Sequence, residues 1–212
     1  MNILMDKVRG IYEQFDASHD FQHIERVYRN ALAILQTESE ADAEVVKIVV
    51  LLHDVSDKKY TDSKEQENKL IAELPLSEEK KQHIRDCIEQ VSFNGGNELE
   101  ATSLEAKIAR DADRLDAIGA IGIARTFAFG GAKGRKLYDK EEDARTNMTE
   151  DEYRSKNTSS VTHFYEKLLL LKDLMITEKG KQMAEERHQF MVQFLEQLQN
   201  EIVEIPTPKG TS

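Results

Sequence analysis

The run Val45-Val46-Lys47-Ile48-Val49-Val50-Leu51-Leu52 ends on His53-Asp54, and this junction constrains the chain more than any other stretch. A helix that is apolar on nearly every side must be buried, so an imidazole and a carboxylate at its end sit at the edge of a core. Both groups then need partners, because an unpaired buried carboxylate costs several kcal/mol. A divalent cation would satisfy the two at once. The plainer alternative is a helix end at which Asp54 caps the following turn. On the dipeptide alone both readings stay open.

The rest of the chain reads as helices. Ile3, Leu4, Val8, Ile11, Tyr12 and Phe15 have three-and-four spacing, an amphipathic outer helix. Capping residues crowd Asp16-Ala17-Ser18-His19-Asp20, and a helix follows with Ile24, Val27, Tyr28, Ala31, Ile34 and Leu35 inward. His23 stands at its start, a structural residue or a ligand, with His19 and Arg26 overlooking similar space. After His53-Asp54 the polar segment 56–62 either lines a site or is a solvated connector. Pro75 ends a helix carrying Leu70, Ile71 and Leu74. Ser77 caps the next, whose apolar stripe of Ile84, Cys87, Ile88 and Val91 makes Cys87 a packing residue rather than a partner of His83 in ligation.

Acids gather again at Asp111, Asp113 and Asp116. The stripe Ile108, Ala112, Leu115, Gly119 and Gly122 predicts one helix through this region. At 100° per residue, Asp113 and Asp116 share a side and Asp111 points away. An acidic turn bridged by Arg110 and Arg114 is the ordinary alternative to a site. The segment 130–136, Gly-Gly-Ala-Lys-Gly-Arg-Lys, is expected to break the helix and set cations among glycines, where backbone amides approach an anion closely. Residues 140–157 are strongly charged and read as a mobile surface excursion. Two long helices follow, one with Val161, Phe164, Leu168 and Leu171, the other with Met183, Phe190, Met191, Leu195 and Ile202. His163 and His188 read as surface or packing residues. No strand pattern and no internal repeat is evident, so the fold class expected is all-α.

The chain of 212 residues carries a formal charge of −11, which repels polyanions, and no block of Lys and Arg offsets it. A nucleic-acid polymer is therefore not an expected partner. One cysteine excludes an internal disulfide, and no apolar run approaches the ~18 residues of a membrane span. A single cytoplasmic domain over residues 1–212 is expected, its site within about 18–138 and its C-terminal helices at about 158–204.

His23, His53-Asp54 and a later helical Asp, set in segments 18–27, 51–54, 111–125 and 127–135, resemble the signature of the HD-domain metal-dependent phosphohydrolases. The likeness is closest to the small stand-alone bacterial members that include deoxynucleotide pyrophosphohydrolases. It implies an HD-domain helical bundle with extra terminal helices, and His23, His53, Asp54 and Asp113 as ligands of one divalent ion, with Asp116 as the alternative fourth. Mn²⁺ is the expected ion, Mg²⁺, Fe²⁺, Co²⁺ or Ni²⁺ the alternatives; a second ion would draw on His19 or His83. The implied reaction is attack of metal-activated water on a nucleoside triphosphate, giving monophosphate and pyrophosphate. Asp57 matches in position the carboxylate that orients the water or serves as base, and Asp62 is the second candidate. His19, Arg26, Lys58, Phe93, Lys133 and Arg135 are the expected substrate contacts, with Tyr60 a second aromatic candidate for stacking. A 5′-nucleotidase, another nucleotide phosphodiesterase or a non-catalytic nucleotide-sensing module are the competing readings.

Overall fold

The buried helix predicted from the apolar run forms the centre of an all-helical protein, seen in a computed structural model that describes residues 1–15, 20–57, 61, 63–91, 99–145 and 158–202. In order, the helices are α1 (Asn2–Tyr12), α2 (Phe21–Leu35), α3 (Ala43–Leu52), α4 (Glu65–Ala72), α5 (Glu78–Glu89), α6 (Leu104–Asp116), α7 (Gly119–Ala132), α8 (Ser160–Glu166), a 3₁₀ segment (Leu168–Leu174) and α9 (Glu178–Ile202). Val45, Val46 and Ile48 to Leu52 of α3 are all buried, and α2, α5 and α6 pack around them. Tyr12, also buried, donates its hydroxyl to Leu51 O at 3.1 Å and ties α1 to the end of α3. The caps follow the sequence: Asp20, Asp42, Ser77 and Ser103 each accept from the first turn of the helix they precede.

Three expectations need correction. The stripe from Ile108 to Gly122 is not one helix: α6 ends at Asp116 and α7 starts at Gly119, bent by 63°. Gly119 makes the corner because its φ is +75° and because a Cβ there would lie 2.9 Å from Arg187 Cγ. Gly130 and Gly131 do not break a helix either; they form the last turn of α7, and the chain leaves it at Lys133, with Gly134 at φ +67°. The first of the two expected terminal helices is only the short α8 followed by the 3₁₀ segment. Of the charged stretch 140–157, residues 146–157 lie outside the described residues, while Arg145 is fastened to buried Glu166 at 2.7 Å.

Asp111, turned away from its two acidic neighbours as the helical wheel requires, joins α6 to α9. Its buried carboxylate accepts from Ile176 N at 3.0 Å, Thr177 N at 2.7 Å and Thr177 Oγ1 at 2.8 Å. Gly180 permits this approach, since a Cβ there would meet Asp111 Oδ2 at 2.6 Å. Asp111→Ala strands these donors and opens a void, so a loss of about 3 kcal/mol is expected in urea unfolding. A change below ~1 kcal/mol would show the junction to be held by packing alone.

Candidate metal centre

Three helix ends meet at one point. His23 sits in the first turn of α2, where its backbone N donates to Asp20 Oδ1 at 3.0 Å. His53 is the residue after α3, followed in the turn by Asp54, and Asp113 comes from α6. Nε2 of His23 lies 3.4 Å from Asp54 Oδ2 and 3.5 Å from Asp113 Oδ1. Nε2 of His53 lies 3.4 and 3.6 Å from the same two oxygens. Residues far apart in the chain thus bring two ring nitrogens and two carboxylate oxygens face to face.

The far side of each ring fixes what the near side offers. His53 Nδ1 faces Val50 O at 2.9 Å and His23 Nδ1 faces Asp116 Oδ2 at 2.7 Å, so both Nδ1 positions carry the hydrogen and donate it. In the neutral rings each Nε2 then presents a lone pair to carboxylate oxygens. His53 Nε2 is buried with no hydrogen-bond partner among the described residues. Such an arrangement demands a positive charge between the four atoms. Metal–ligand bonds of about 2.1 Å set neighbouring donors roughly 3.0–3.4 Å apart, close to the spacing seen, so His23, His53 and Asp54 fit a divalent ion, and Asp113 stands beside them without belonging to that mutually close set. His23, His53 and Asp54 form a buried group with ligand atoms all within 4.8 Å of one another.

Protons show the same demand. Burial opposes charge on His53, but Asp54 and Asp113 outweigh it and raise its pKa to about 10. His23 is raised likewise, burial being overcome by Asp116, Asp54 and Asp113. For Asp113, burial is overcome by His53 and His23, and its pKa falls to about 2. Metal-free protein therefore holds a proton on His53 where the ion would go. A raised histidine pKa stabilises the fold fully below about 6.5 and is lost as pH rises toward 10; a depressed Asp pKa stabilises above about 3.8 and is lost as pH falls through 2. In EDTA the midpoint of thermal unfolding should fall steadily from pH 7 to pH 10, and Mn²⁺ should flatten the fall. An EDTA profile that is level over this range would contradict a protonated His53.

Asp116 stands behind the group rather than in it. Its carboxylate takes His23 Nδ1–H, Arg26 Nε at 2.7 Å and Arg125 Nη1 at 2.7 Å. Burial alone would raise its pKa, but His23 and Arg26 lower it below the usual carboxylate value. The structure thus brings Asp113, not the alternative Asp116, to the Nε2 atoms. Arg110 and Arg114 do not bridge the acidic turn; they reach the carbonyls of Gln90 and Leu99 and of Leu174. Arg125 had no role in the sequence reading, nor did Asn30, which donates to Ala112 O at 3.0 Å, or Arg187, which donates to Leu115 O. These donors satisfy carbonyls in the last turns of α6 and hold its end in place.

Asp57 is half-buried one turn beyond Asp54, its backbone N on Asp54 O at 3.1 Å. Burial, then the charge of Asp54 and more weakly of Glu67 and Asp57, raises the pKa of Tyr12. Arg26 is engaged by Asp116. Lys133 and Arg135 follow the far end of α7, about 20 Å along its axis from Gly119, where both lie over the Phe129 ring at 5.8 and 5.3 Å. His19, Lys58, Tyr60, Asp62 and Phe93 lie outside the described residues. His83 is not part of the group; its Nε2 meets Glu105 Oε2 at 3.2 Å, beside buried Cys87.

Known proteins share this arrangement of helices. The HD domain family profile matches residues 20–118. YpgQ of Bacillus subtilis is 37% identical over 202 residues, which are 92% of this chain and 90% of that protein. This chain belongs to the HD-domain family. Within it, an HD-superfamily hydrolase from Bacillus thuringiensis is 40% identical, with a TM-score of 0.74 over 94% of this chain and 95% of that one. The crystal structure of B. subtilis YpgQ in complex with ADP gives a TM-score of 0.77 at 34% identity, over 97% of this chain and 96% of that one. By homology the chain is an HD-superfamily hydrolase, and the His23, His53 and Asp54 group is consistent with the metal site of an HD domain.

Proposed function

We propose that this HD-domain protein is a Mn²⁺-dependent nucleotide phosphohydrolase that cleaves a deoxynucleoside triphosphate to monophosphate and pyrophosphate. The observation that carries the reading is the convergence of two Nε2 atoms on Asp54 Oδ2 and Asp113 Oδ1 within 3.4–3.6 Å. The ADP complex of YpgQ supports a nucleotide as the ligand class. His23, His53, Asp54 and Asp113 would hold the ion, a mixed nitrogen and oxygen set suited to Mn²⁺. Bound there, it would supply Lewis acidity to a phosphoryl oxygen and to water.

The chain's own residues do the rest. Asp116 keeps the proton on His23 Nδ1 so that Nε2 stays available, and Arg26 and Arg125 keep Asp116 ionised. Asp57 takes the proton of the attacking water. The water oxygen bonds to the α-phosphorus, the bridging α–β P–O bond breaks, and pyrophosphate departs with that electron pair. The test is to incubate the full chain with Mn²⁺ and a panel of nucleotides and to separate the products by anion exchange. Monophosphate and pyrophosphate in equal amounts are expected. Orthophosphate as first product would make it a nucleotidase instead, and a Mn²⁺-loaded protein inert toward the whole panel would make it a sensing module.

A further inference from the structure

A cavity of about 490 Å³ opens on the side of Asp116 turned away from the metal group. Its walls are α2, the start of α7 and α9, and it includes Arg26, Arg29, Arg187, Asp116, Glu186 and Phe190. Asp116 lines the cavity and meets Nδ1 of His23, while the metal group gathers at Nε2, so the carboxylate stands between the cavity and the ring that serves that group.

The charges in this cavity are not balanced. Arg26 is matched by Asp116 at 2.7 Å. Arg187 is half-buried, but its hydrogen bonds go to the uncharged Leu115 O and Asn30 Oδ1, and no carboxylate lies within ion-pair distance of it among the described residues. Arg29 is exposed and its one hydrogen bond, Nε to Glu25 O, is long at 3.4 Å. Against these two guanidiniums stand the exposed Glu186 and, beyond ion-pair distance, Asp116, whose carboxylate is already shared by Arg26 and Arg125. A partly buried guanidinium with no carboxylate in contact favours an anion, and planar guanidinium forks suit phosphate. At the rim Phe190 is 51% exposed, a large aromatic face left to solvent beside the cations. Cations on one wall and an aromatic ring on another, in a volume typical of small-molecule sites, match a phosphate joined to a flat ring.

We infer that this cavity is a second binding site, for a nucleoside monophosphate or similar phosphorylated aromatic compound, with Arg29 and Arg187 on the phosphate and Phe190 on the base. The inference does not depend on the hydrolytic reading. Calorimetric titration of the full chain with AMP and, separately, with inorganic phosphate, in Mn²⁺ buffer, tests it. Arg29→Glu should weaken both probes at least about tenfold, and Glu186→Gln should tighten both a few-fold. Phe190→Ala should weaken AMP by roughly five- to tenfold and leave inorganic phosphate unchanged. All three side chains are exposed, so these variants keep the fold. Wild-type AMP affinity in both Arg29→Glu and Phe190→Ala overturns the site, and loss in Arg29→Glu alone overturns the nucleoside part of it. Mn²⁺ uptake by the same proteins reports separately on the His23, His53 and Asp54 group, so a failure there counts against the hydrolase and not against this cavity.

Discussion

Asp54→Ala is expected to give a folded protein that retains no divalent metal after desalting and loses turnover by more than roughly 10³-fold. Asp54 Oδ2 lies 3.4 Å from Nε2 of both histidines, with Asp113 Oδ1 at 3.5 and 3.6 Å from the same two atoms. Removing it leaves two imidazoles facing Asp113, one negative charge where there had been two. The effect on the metal-free protein has the opposite sign. The Asp54 charge is the largest influence raising the pKa of His53, so without it His53 titrates nearer its ordinary value and the alkaline loss of stability in EDTA becomes smaller. Metal content by atomic absorption, turnover, and the shift of thermal unfolding on adding Mn²⁺ should therefore change together, because a ligand that binds only the folded state stabilises it in proportion to its affinity. Unchanged metal content would remove Asp54 from the centre.

Much of this centre is legible in the sequence because its parts carry local signals. An apolar helix ending on His53-Asp54 has few places to put those groups, and the 100° step separates Asp113 and Asp116 from Asp111 before any coordinates are known. The corner between α6 and α7 is different. Its small residues continue the four-and-three spacing straight through Gly119, and nothing in a hydrophobic period reveals a positive φ. The glycines at 130 and 131 mislead in the other direction, since packing of α7 against α9 and α8 keeps them helical where propensity alone would end the helix. Arg125 and Arg187 are invisible for a third reason. Their partners, Asp116 and Leu115 O, are chosen by where α7 and α9 cross the end of α6, and a side chain that serves a carbonyl on another helix leaves no pattern in its own.

Asp57→Ala separates holding the ion from moving the proton. Asp57 is not part of the buried group of His23, His53 and Asp54, so Mn²⁺ content should stay at the wild-type level. Turnover should fall by roughly 10²- to 10⁴-fold, the span usual for loss of a positioned general base. The backbone of Asp57 is fixed independently of its side chain, its N on Asp54 O and its O receiving Thr61 N, both at 3.1 Å. Truncation at Cβ therefore should not displace Asp54, and a lost reaction cannot be blamed on a lost ligand. Full activity would pass the role to Asp62, five residues further on. That outcome would mean the turn after Asp54 positions its second acid, and not its first, against the water.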